Sequence, residues 1–125
     1  MPTNNLEERL RELAVRDGRY SLQAYRFIYE ALDYTLKKLG CKRHVSGREL
    51  MLGLRDLAIE QFGGLAPMVF GAWGVLRTSD FGNIVWNLVE AGLMSRSDSD
   101  TLSDFDEVYD FRKTFRIDAR PGDWT

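Results

Sequence analysis

The tetrapeptide Ser46-Gly47-Arg48-Glu49 constrains this chain more than any other feature. A serine followed three residues later by a glutamate can exchange two hydrogen bonds that close the open N-terminus of a helix. Leu50, Leu54, Leu57, Ala58 and Phe62 then recur at helical spacing until Gly63-Gly64 interrupts the run. The pattern predicts an amphipathic helix over 47–62 that must bury one side. A chain of 125 residues forms one domain and buries roughly two thirds of the surface its unfolded form exposes, so the other segments must supply the facing surfaces.

Those segments read mostly as helices. Asn4 with Glu7 predicts the cap of a first helix, and Leu6, Leu10, Leu13 and Ala14 stripe it as far as Arg16, before Asp17-Gly18. Ser21 caps a second helix over 22–39, with Tyr20 and Tyr25 placed as a hydrophobic staple and Gly40 as its stop. Its apolar residues spread too widely for one stripe, which predicts packing on more than one side. Ala66 to Trp73 predicts a short helix with Pro67 in its first turn, where a missing N–H is harmless, and Thr78 or Ser79 caps the stretch DFGNIVWNLVEAGLM. After it, LMSRS, the turn-rich DSDTLSD and FDEVYDF predict a hairpin. The expected fold is therefore mainly α with a small β-hairpin, a winged-helix-like domain over 1–118 preceded by two extra N-terminal helices, with 119–125 a flexible tail unless Trp124 docks.

A winged helix raises the question of DNA, and charge argues against it. The net charge is -2 with a pI near 5.4, so the molecule has no overall basic field for phosphates. From Thr78 to Gly92 the only charged residues are Asp80 and Glu90, whereas affinity for a duplex comes largely from Lys and Arg. Winding this stretch at 100° per residue puts Phe81, Val85 and Leu88 on a core face flanked by Ile84 and Val89. The opposite face carries Asn83, Trp86, Asn87 and Glu90. Trp86 there reads either as an anchor for a protein partner or a second copy of the chain, or as core covered by the N-terminal helices. The leading expectation is a non-enzymatic protein-interaction module. The alternative is a nucleic-acid-binding regulator using Lys42, Arg43 and Arg48 together with Arg112, Lys113 and Arg116.

Chemistry-bearing motifs are sparse. Cys41 and His44 are the only residues of their kinds, which excludes an internal disulfide and a zinc site of several Cys and His ligands. Asp80-Phe81-Gly82 matches the kinase magnesium triplet without the glycine-rich loop or catalytic loop that give it meaning, so Asp80 reads as a helix-start carboxylate. The acidic run from Asp98 to Asp110 lacks EF-hand spacing and reads as a solvated loop. No cofactor, metal or catalytic residue is expected. The N-terminal MPTNNLEERLRELAVRD is not a secretory signal, no stretch approaches the roughly 20 apolar residues of a membrane span, and a cytoplasmic location is expected.

Taken in order, His44-Val45-Ser46-Gly47, Glu49-Leu50, Phe62-Gly63, Trp73-Gly74-Val75, Asp80-Phe81-Gly82, Leu88-Val89-Glu90-Ala91-Gly92-Leu93, Asp104-Phe105 and Tyr109-Asp110-Phe111 form a series. It resembles a family of small uncharacterised bacterial proteins largely restricted to planctomycetes and verrucomicrobia. The resemblance spans roughly residues 20 to 115. It implies a small cytoplasmic domain and carries over no catalytic or binding residue.

Overall fold

A computed structural model of the chain describes residues 5–40, 44–95 and 101–121. Among the described residues six helices follow one another: α1 (Asn5–Asp17), α2 (Leu22–Leu39), α3 (Gly47–Phe62), α4 (Ala66–Ala72), α5 (Thr78–Glu90) and α6 (Phe111–Thr114). Two 3-10 turns, Gly63–Leu65 and Leu102–Phe105, punctuate the series. No described helix is long and apolar enough to cross a membrane.

The capping box on α3 is present: the Ser46 hydroxyl accepts from the Glu49 N–H and the Glu49 carboxylate from the Ser46 N–H, each at 3.1 Å. Gly40 ends α2 in the left-handed conformation that glycine tolerates best, its φ of 71° directing its N–H onto the Leu36 and Lys37 carbonyls. Pro67 sits in the first turn of α4, as its missing donor allows. Ser21 occupies the cap position of α2, but its side chain makes no capping bond. Asn4, the expected cap of α1, lies outside the described residues.

α2 lies against α1, α3 and α5, which accounts for its wide apolar surface. At its crossing with α3, Gly53 lets Thr35 approach so closely that a Cβ on the glycine would fall 1.8 Å from the Thr35 hydroxyl oxygen. The short α4 inserts Phe70, fully buried, among Phe27, Trp73, Phe81, Phe111 and Phe115, with ring centroids 5.0 to 5.8 Å from its own. With Phe62 at 6.3 Å as a sixth, these aromatic neighbours from both halves of the chain gather the core around Phe70.

The hairpin and the winged helix are overturned, since no strand occurs among the described residues. Three local interactions account for the difference. Gly92, with φ of 75°, turns the chain back so that the Leu93 N–H closes the end of α5 on the Leu88 carbonyl at 2.8 Å. The buried Thr78 hydroxyl donates to the Phe105 carbonyl at 2.6 Å and accepts from the Val108 N–H at 3.1 Å, occupying groups that a strand ladder would need. Finally Asp104 and Asp110 cap the turn and the helix on either side, Asp104 accepting from the Thr101 N–H and Asp110 from the N–H groups of Arg112 and Lys113. Phe105, Phe111 and Phe115 are all buried in this arrangement.

Thr78 thus holds the C-terminal segment rather than capping α5. The cap is made by Asp80, whose carboxylate reaches back to the N–H groups of Leu76 and Arg77 at 2.8 and 3.2 Å. Arg55 and Asp56, neighbours on α3, are both buried and bond to each other at 3.0 Å under the C-terminal segment. That segment also adds the Arg120 carbonyl, 3.4 Å from Arg55. Of the expected tail, residues 119–121 are described, while Gly122 to Thr125, Trp124 included, lie outside the described residues.

Candidate functional site

On α5 the expected polar face divides. Asn83 donates to the Tyr20 hydroxyl at 2.9 Å, and Tyr20 in turn donates to Asp80 at 2.8 Å. One helical turn on, Asn87 donates to the Tyr25 hydroxyl at 3.0 Å. Burial pushes the hydroxyl pKa values of both tyrosines up, so they stay neutral acceptors for the two amides. Asn83 and Asn87 therefore join α5 to the start of α2. Asp17, at the end of α1, is held below the usual carboxylate range by the bond it accepts from Arg19. Glu90 is exposed.

Trp86 is neither a protruding anchor nor a fully covered core residue. It is half-buried in the wall of a cavity of about 320 Å³ between α2, the start of α3 and α5. Tyr29, Leu32 and Leu36 form one side of that cavity, Val85 and Val89 continue the wall beside Trp86, and Phe105 also lines it. Phe105 is wedged between two glycines: a Cβ on Gly47 would come within 2.8 Å of its ring and one on Gly82 within 2.5 Å of its Cβ. The Tyr29 hydroxyl donates to the Leu93 carbonyl.

A second feature lies on α4, which the sequence expectations did not single out as a site. Opposite the buried Phe70, the helix and the turn before it leave Leu65 60% and Met68 72% exposed, with Gly71 and Ala72 also open to solvent. Ile117, 97% exposed, belongs beside them, because its backbone runs against Gly64 so closely that a Cβ there would lie 3.1 Å from the Ile117 Cα. The signal was available in the sequence: residues 62–76 contain no charged side chain in a chain that is 29% charged.

Of the basic residues, Arg48, Arg112, Lys113 and Arg116 are exposed. Arg116 forms an ion pair with Asp118 at 3.3 Å. Lys42 and Arg43 lie outside the described residues, as do Cys41, Asp98 and Asp100. Among the described residues no group of three His, Cys, Asp or Glu side chains is arranged to hold a metal ion. Compared with known proteins, the chain matches no protein-family model, no curated protein and no solved structure.

Proposed function

We propose that this chain is a non-enzymatic protein-interaction module that pairs with a second copy of itself through the outer face of α4. The observation that carries the reading is the exposure of Leu65, Met68 and Ile117 together on a surface whose backbone contributes no charge from Phe62 to Leu76. Apolar patches on the order of 300–600 Å² are the largest a monomer usually shows and are often functional. The α4 part of the patch carries no charge, and beside Ile117 the exposed Arg116 and Asp118 pair with each other, so two copies can meet without net like-charge repulsion, as a two-fold interface requires. Gly71 and Ala72 present little side chain, so two such helices can approach closely. The ionisable side chains described here support a non-catalytic role, since Glu49, Asp80, Asp104 and Asp110 cap helices and turns instead of converging on the cavity.

Equilibrium sedimentation over a wide concentration range tests the proposal. Dimers are expected in the intact chain and monomers for Met68→Glu at the same concentrations. A chain that stays monomeric at submillimolar concentration would overturn it. The alternative of nucleic-acid binding draws on the exposure of Arg48, Arg112 and Lys113. Duplex binding that weakens by orders of magnitude between about 50 and 200 mM salt would favour that alternative.

A further inference from the structure

The cavity beside Trp86 is separate from the α4 face and points to a second activity. From its volume and walls we infer that it is a binding site for a small, neutral, two-ring aromatic molecule carrying at most one polar group. At about 320 Å³ it falls within the range of small-molecule sites. It is roughly twice the ~150 Å³ cavity that holds a single benzene ring.

The walls set the chemistry. Tyr29, Trp86 and Phe105 offer ring surfaces from α2, α5 and the C-terminal segment, and Leu32, Val85 and Val89 are aliphatic. The Tyr29 hydroxyl, the polar group that α2 brings to this wall, is already engaged with the Leu93 carbonyl, so the interior offers a water molecule few of the 2–4 partners it needs. Among the described lining residues the remaining polar side-chain groups are the indole N–H of Trp86 and the side chains of His44 and Ser95, of which the last two are exposed and stand at the opening. A flat two-ring ligand buries both ring faces against aromatic and aliphatic walls, where offset or edge-on ring contacts add to burial. Its one polar group remains at the opening beside His44 and Ser95.

The test is titration of the intact chain with 2-naphthol by calorimetry, with nuclear Overhauser contacts locating the ring. The expected result is a dissociation constant on the order of 10–100 μM, with contacts from ring protons to the Val85 and Val89 methyls. Val89→Phe, which fills the cavity, is expected to weaken binding at least tenfold, and Leu36→Phe serves the same purpose if that variant does not fold. Tighter binding of dodecanol would overturn the ring assignment in favour of an aliphatic chain. Absence of heat at submillimolar 2-naphthol, or contacts confined to residues outside the cavity, would overturn the site. Neither result depends on whether the chain dimerises through α4.

Discussion

Gly53→Ala isolates the packing on which the helical core depends. In the middle of an exposed helix, replacing glycine by alanine gains about 1 kcal/mol from backbone propensity alone. Here the new Cβ would lie 1.8 Å from the Thr35 hydroxyl oxygen, 2.9 Å from its Cβ and 3.2 Å from its methyl carbon. Rotating Thr35 removes only part of the overlap, because its Cβ is itself too near, and the rotation breaks the bond from its hydroxyl to the Ala31 carbonyl at 2.7 Å. The helices must therefore separate, and overpacking of this kind costs about 1–3 kcal/mol, enough to cancel the propensity gain. Urea denaturation read at equal m values should show Gly53→Ala destabilised by up to about 2 kcal/mol net, the overpacking cost less the propensity gain. Combining it with Thr35→Ala should recover much of the loss, with a coupling of about 1 kcal/mol or more. Gly71→Ala, measured at concentrations low enough that the α4 face is unpaired, is the control. Its Cβ would meet nothing within 4 Å, and it should be neutral or stabilising. A Gly53→Ala variant as stable as the Gly71→Ala variant would refute the close crossing of α2 and α3.

Asp56→Ala removes the carboxylate hydrogen-bonded to the buried Arg55, which keeps its contact with the Arg120 carbonyl, and should lower stability by about 1–3 kcal/mol in the same denaturation assay. Trp86→Ala removes an aromatic that is half-buried, so its loss should fall near 1–2 kcal/mol, below the 3–5 kcal/mol typical of a fully buried aromatic. Acid sensitivity should involve Asp17 and Glu7, whose carboxyls are lowered chiefly by hydrogen bonds from Arg19 and Arg26. Because the folded pKa lies below the unfolded one, their stabilisation is complete above about pH 5 and is lost as the pH falls through the folded value. Urea midpoints measured through that window should fall less steeply for Asp17→Asn than for the parent chain.

What could be read from sequence was what depends on neighbours along the chain. The capping box at Ser46 and Glu49, the left-handed Gly40 and the first-turn Pro67 each satisfy local backbone groups, and each appears where expected. Misreadings arose where a polar side chain had two possible employments. Thr78 looks like a helix cap in one dimension, yet it is spent on Phe105 and Val108, about thirty residues away, and Asp80 takes over the helix start. The same long-range bonds explain why an apolar and turn-rich C-terminal stretch forms turns and a short helix rather than a hairpin. Asn83 and Asn87 were expected beside an exposed Trp86, but a helical projection cannot show that Tyr20 and Tyr25 reach across from the start of α2. The α4 face was legible as an uncharged run, although periodicity in so short a helix gives no warning that Met68 points outward while Phe70 points inward.

Self-association through the outer face of α4 is open to direct measurement. Equilibrium sedimentation of the intact chain beside Met68→Glu, with circular dichroism confirming that both remain helical, separates association from folding. A concentration-dependent dimer in the parent chain, abolished in a fully helical Met68→Glu variant, is the predicted result. A parent chain that remains monomeric throughout, or a dimer that survives the glutamate unchanged, would contradict it.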